Sequence, residues 1–151
     1  MPRLLVFLPS EKVIIDGLDQ TLAILGVLGG IELPAAVQSL PVDAGVPMRW
    51  HVLTMWKKEP GDETREFEQR VQLVAPSGRV VVDGTLGFRV TERSHRNRMV
   101  VQGFPVYEAG DYILKLSLRE AGEAVWRDLA EYPMFVSHVD PTKPPEAPEH
   151  Q

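Results

Sequence analysis

Residues 111–119, Asp-Tyr-Ile-Leu-Lys-Leu-Ser-Leu-Arg, decide the fold. Tyr112, Leu114, Leu116 and Leu118 fall on one side of an extended chain, and Asp111, Lys115, Ser117 and Arg119 on the other, with Ile113 the exception. A period of two belongs to a strand with one face on a core and the other in water.

The same pattern recurs on both sides of this stretch. Upstream, residues 67–75 put Phe67, Val71, Leu73 and Ala75 on one face, and residues 79–90 put Val80, Val82, Leu86, Phe88 and Val90 on one face. Between them stands Pro76-Ser77-Gly78, where proline presets φ and glycine accepts a positive φ, so the pair reads as a hairpin. Met48, Trp50, Val52, Thr54 and Trp56 form another alternating face, with Arg49, His51 and Lys57 opposite. Further strands are expected at Arg98 to Phe104 and Tyr132 to Val139. In the N-terminal third, Leu4 to Leu8 and Val13 to Ile15 read as strand halves around Pro9-Ser10-Glu11-Lys12. Leu22 to Leu28 is either strand or a helix capped by Asp19; Gly26 inside it favours strand. Residues 121–130 are similarly open, with Gly122 favouring a turn. Eight or nine short strands with polar turns predict an all-β, antiparallel β-sandwich of immunoglobulin-like size over residues 1–139. From Asp140 onward, four prolines and no large apolar residue predict a disordered tail with a net charge of −2, leaving −3 for the body.

In Phe104-Pro-Val-Tyr-Glu-Ala-Gly110-Asp-Tyr112, a glycine able to turn left-handed precedes a tyrosine whose hydroxyl can reach back to upstream backbone. This resembles the tyrosine corner of immunoglobulin-like sandwiches. Together with Leu5-Val-Phe-Leu8, Thr21-Leu-Ala-Ile-Leu-Gly26 and the Val74-Ala-Pro-Ser-Gly-Arg79 hairpin, the chain resembles a family of small uncharacterised bacterial immunoglobulin-like β-sandwich proteins. Members open with a strand, a polar hairpin and a Leu-Gly-like step, and later carry Pro-Asp-Gly-like and Pro-Gly-Asp-Tyr-like turns; here these are Pro-Ser-Gly and Glu-Ala-Gly-Asp-Tyr. The resemblance implies a fold and no activity. It does not extend to residues 59–66 or to the tail.

Composition removes several chemistries. The 151 residues include no cysteine, which excludes disulfides, thiolate metal sites and a cysteine nucleophile. Sixteen Lys and Arg against 21 Asp and Glu give a net charge of −5, which disfavours general nucleic-acid binding. The longest apolar run, Leu22 to Ile31, is too short to span a bilayer. A cytoplasmic protein with no cofactor is expected, working through a protein partner or self-association, without nucleic acid or membrane.

Candidate site residues come from two places. Residues 89–98 hold Arg89, Arg93, Arg96 and Arg98 against Glu92, with His95 among them; this is either a solvated loop or a site for an anion or an acidic partner. Ser94 and His95 lack the elbow and orienting acid of a hydrolase. Trp50 and Trp56 are either core or an exposed platform for carbohydrate. His51, His95, His138 and His150 lack metal-site spacing, and Glu59, Asp62, Glu63, Glu66 and Glu68 alternate with cations, which suits a solvated turn. The predicted function is a non-enzymatic interaction or structural module, the alternative a carbohydrate-binding or small-anion-binding module.

Overall fold

The computed structural model describes residues 1–33 and 40–139. The proline-rich segment 140–151, expected as a tail, lies outside the described residues. Nine strands are present among those described: β1 (Arg3–Ile15), β2 (Leu22–Val27), β3 (Gly30–Leu33), β4 (Gly45–Lys57), β5 (Phe67–Val74), β6 (Val80–Phe88), β7 (Ser94–Pro105), β8 (Gly110–Glu120) and β9 (Arg127–His138). They form a four-stranded sheet in the order β2-β1-β4-β7 and a five-stranded sheet in the order β3-β9-β8-β5-β6. The two sheets pack as a β-sandwich.

One pairing departs from the antiparallel expectation. After β2 the chain leaves the first sheet at Leu28-Gly29 and enters the second, where β3 runs parallel to β9, the last strand. Gly30 makes this approach possible, since a Cβ there would stand 2.6 Å from the Phe135 carbonyl oxygen. The segment 22–28, open between strand and helix, is strand through Val27. Residues 121–126 turn, and β9 begins at Arg127, ahead of the Tyr132 expected from sequence.

The alternation seen in sequence lands where it should. Phe67, Val71, Leu73, Tyr112, Leu114, Leu116 and Leu118 are buried between the sheets with Trp50, Val52, Trp56 and Phe104. Val80 does not follow it: register shifts between Leu73 and Val74, so that Val80 sits directly beside outward-facing Val74 and is exposed. The Pro76 turn closes as expected, with the Gly78 N–H donating to the Ala75 carbonyl at 2.8 Å. At the corner, Gly110 has φ 124° and the Tyr112 hydroxyl donates to the Glu108 carbonyl at 2.9 Å. That bond satisfies the polar end of a ring that is otherwise sealed in the core.

Strand β1 runs without a break through Pro9, joining the two halves read from sequence. Its first part pairs with β4 as far as Ser10, and its second pairs with β2 from Ser10 onward. The handover bends the strand. The buried Ser10 hydroxyl stabilises it, its single proton shared between the Lys12 and Leu25 carbonyl oxygens at 2.9 and 2.8 Å.

Candidate functional site

Strand β4 turns Trp50, Val52, Thr54 and Trp56 inward, which leaves Arg49, His51, Leu53 and Met55 on the outer face of the four-stranded sheet. The register with β7 sets Gln102 beside Arg49, Val100 beside His51, Arg98 beside Leu53 and Arg96 beside Met55. Directly opposed residues on antiparallel strands share a side, so one face carries three arginines and a histidine.

Part of this face is covered. Leu53 points away from the core and yet is only 1% exposed. The β1–β2 hairpin accounts for it: after the Ser10 bend its tip reaches β7, where the Gln20 carbonyl accepts from Arg96 Nη1 at 2.7 Å. Beside the tip is a depression of about 490 Å³ lined by Ile15, Gln20, Thr91, Glu92, His95 and Arg96, among others. Beyond the hairpin, Arg49, Arg98 and Val100 stay exposed, with His51 half-buried among them.

The charges here lack the partners that arginines have elsewhere. Arg70 pairs with Asp83 at 2.6 Å and Arg119 with Glu68 at 2.5 Å; Arg65 pairs with Glu120 and Arg89 with Glu66. Arg3 and Arg79 each stand 3.9 Å from a glutamate. Among the described residues, Arg49, Arg93, Arg96 and Arg98 have no carboxylate partner, a condition shared by Arg127 alone of the remaining arginines. His51 records the local field: burial first, then the charges of Arg98 and Arg49, hold its imidazole below the usual histidine range. Its buried Nδ1 has no hydrogen-bond partner.

The residues singled out from sequence divide between this face and the interior. Arg96 and Arg98 lie on the face, and Arg93 is exposed in the turn just before β7. Ser94 to Asn97, expected in a connecting loop, are the first residues of β7, because they pair in register with Lys57 back to Thr54. Trp50 and Trp56 are fully buried, so they fill the core and present no platform to a sugar. The Trp50 indole N–H donates to the Gly103 carbonyl at 2.9 Å. Trp126 is the tryptophan nearest the surface, and the Arg119 guanidinium lies 4.2 Å from its ring centroid.

His95 points toward the interior and stacks on Phe88, with ring centroids 5.4 Å apart. Its Nε2 lies 2.8 Å from Asn97 Oδ1, while the Asn97 amide nitrogen donates to Gln69 Oε1 at 2.8 Å. The Asn97 oxygen is therefore an acceptor and His95 Nε2 carries the proton, so this nitrogen is not a base for Ser94. Gln69 Oε1 also accepts from the Thr54 hydroxyl at 2.7 Å and from the Trp56 indole at 3.1 Å. The network ties β4, β5 and β7 across the sandwich and holds the arginine-bearing strands in place. Its signal in the sequence is a glutamine at an inward position between Phe67 and Val71.

Asp62, expected in a solvated turn, is fully buried; it accepts from the Glu59 N–H at 2.9 Å and lies 3.1 Å from the Met1 amino group and 3.6 Å from Arg65. Among the described residues no group of three or more His, Asp or Glu side chains is placed to hold a metal ion. His138 Nε2 lies 2.6 Å from the Val106 carbonyl oxygen, in the other sheet from His51. No helix among the described residues is long and apolar enough to cross a membrane. Comparisons with protein-family models, with curated proteins and with solved structures find no match to this chain.

Proposed function

We propose that the chain is a non-enzymatic, immunoglobulin-like interaction module, related to the small bacterial sandwich proteins it resembles, and that it docks an acidic segment of a partner protein on the outer face of β4 and β7. The observation that carries this reading is the segregation of unpaired charge. In a chain with a net charge of −5, Arg70 and Arg119 on the five-stranded sheet are neutralised by neighbouring carboxylates, while Arg49, Arg96 and Arg98 on the β4–β7 face are not. Guanidinium groups held on a rigid strand pair bind carboxylates with little loss of side-chain freedom. Support for the immunoglobulin-like relation comes from the Tyr112 corner and from β9-β8-β5-β6 facing β1-β4-β7. The proposal keeps the cytoplasmic setting expected from sequence.

Fluorescence anisotropy with a labelled oligoglutamate peptide tests it. Binding at low ionic strength should weaken about five- to tenfold on reversing one charge in Arg98→Glu, and fade as salt shortens the Debye length to about 8 Å. Binding that is indifferent to both changes, or no binding by the native chain, refutes the reading. The orphaned His51 Nδ1 between two arginines favours a second reading, a small anionic ligand. It predicts that free phosphate or citrate at matched charge competes as well as the peptide does.

A further inference from the structure

The outer face of the five-stranded sheet carries a different surface. Val80 on β6 pairs with Val74 on β5, Val74 with Ile113 on β8, and Ile113 with Pro133 on β9. These four are direct cross-strand neighbours, so their side chains make one continuous apolar row across four strands. Phe135, two residues along β9, extends it and is 49% exposed, with Val80 at 46% and Ile113 at 36%. The next row toward the middle of the sheet is Asp83, Gln72, Lys115 and Glu131, which is polar throughout. A band of this kind, contiguous and bordered by charge, is a mark of an interaction surface rather than of scattered exposed residues.

Strand β8 says what covers it. Its outward residues run Asp111, Ile113, Lys115: an acid and a base equidistant from the centre of the apolar row. Asp111 has no cationic partner among the described residues, and Lys115 makes only a loose pair with Glu131 at 3.7 Å. This order is complementary to its own reverse. Laying a second copy face to face, with the two-fold axis along the row, makes the strands of the two copies antiparallel. Ile113 then meets Ile113, and Asp111 of each copy faces Lys115 of the other. Sheets packed this way interdigitate about 10 Å apart, and a single patch used by both copies is what a closed two-fold dimer requires.

We propose that the chain self-associates as a two-fold dimer through the Val80–Val74–Ile113–Pro133 row, with two symmetric Asp111–Lys115 pairs setting its register. The surface is independent of the arginine face, which lies on the other sheet. Few side chains take part, so association belongs to the weak class, with a dissociation constant on the order of tens of micromolar.

Sedimentation equilibrium from the micromolar to the millimolar range, with far-UV circular dichroism to confirm the fold, tests this. The native chain should pass from monomer to dimer, and Ile113→Glu should remain monomeric throughout. Asp111→Lys alone and Lys115→Asp alone each place like charges in both pairs and should weaken dimerisation about tenfold. Mixed together, these two variants restore both pairs, so the mixture should form a heterodimer at least as tight as the native dimer. Arg98→Glu should leave the dimer untouched, which separates this result from the fate of the acidic-partner reading. A native chain monomeric at millimolar concentration, dimerisation by Ile113→Glu, or a mixture that associates no better than its components would overturn the proposal.

Discussion

Replacing Gln69 by leucine isolates the tie between the sheets. The side chain is fully buried and its Oε1 accepts from three donors: Thr54 Oγ1, Trp56 Nε1 and Asn97 Nδ2. Leucine of similar volume fills the space but accepts nothing. Trp56 keeps an acceptor, because its indole also reaches Thr54 Oγ1 at 3.1 Å. The Asn97 amide and the Thr54 hydroxyl are left without theirs, and each buried orphan costs about 1–3 kcal/mol, against which leucine recovers part through its apolar burial. The net expectation is a loss of about 2–4 kcal/mol and a fall in Tm of about 5–15 °C for a chain of this length. Urea unfolding followed by tryptophan fluorescence reads it directly, with a lower midpoint at unchanged slope. Gln69→Leu combined with Asn97→Leu removes one orphan together with its partner, so the double variant should cost at least about 1 kcal/mol less than the sum of the two singles. A single-variant loss under about 0.5 kcal/mol, or additive singles, would refute the view that this network, rather than apolar packing alone, fixes β7 against β5.

Two further outcomes follow from the same geometry. Tyr112→Phe keeps the buried ring and loses only the bond to the Glu108 carbonyl, so it should destabilise by about 1 kcal/mol, read as a shift in urea midpoint; no shift would remove the corner from the list of stabilising features. His51 sits below its ordinary pKa, so the folded chain holds fewer protons there than the unfolded one, and its contribution to stability falls as pH drops through about 6.5. A bound carboxylate reverses that field and raises the His51 pKa, so oligoglutamate affinity should increase over the same acidification, and His51→Gln should flatten the profile; a pH-independent affinity in the native chain would contradict the placement of the ligand beside His51.

Alternation made most of the fold legible. Wherever one face of a strand meets a core, residues two apart must agree in polarity, and the stretches 67–75, 112–118 and 48–56 show it in one dimension. Gly110 and Tyr112 likewise announced their corner, since a positive φ and a hydroxyl at that offset are local properties. The handover of β1 from β4 to β2 and the parallel β3–β9 pair were not legible, because each depends on which distant backbone supplies the next hydrogen bond. His95 shows the limit for a single residue. Its charged neighbours suggested a loop, while its position on an inward-facing register of β7 gives it Phe88 and Asn97 as partners.

The sequence by itself determined most of the strands, the core composition, the surplus of negative charge and the absence of thiol chemistry, all of which are sums or short-range periodicities. Only the tertiary structure decided the surfaces. Arg49, His51 and Arg98 become one face, and Val80, Val74, Ile113 and Pro133 one row, through cross-strand register, which is set by pairing between residues as far apart as Gly45 and Pro105 and leaves no trace in local pattern. The same physics decided which arginines are neutralised, because a carboxylate quenches a guanidinium only when folding brings the two within a few ångströms.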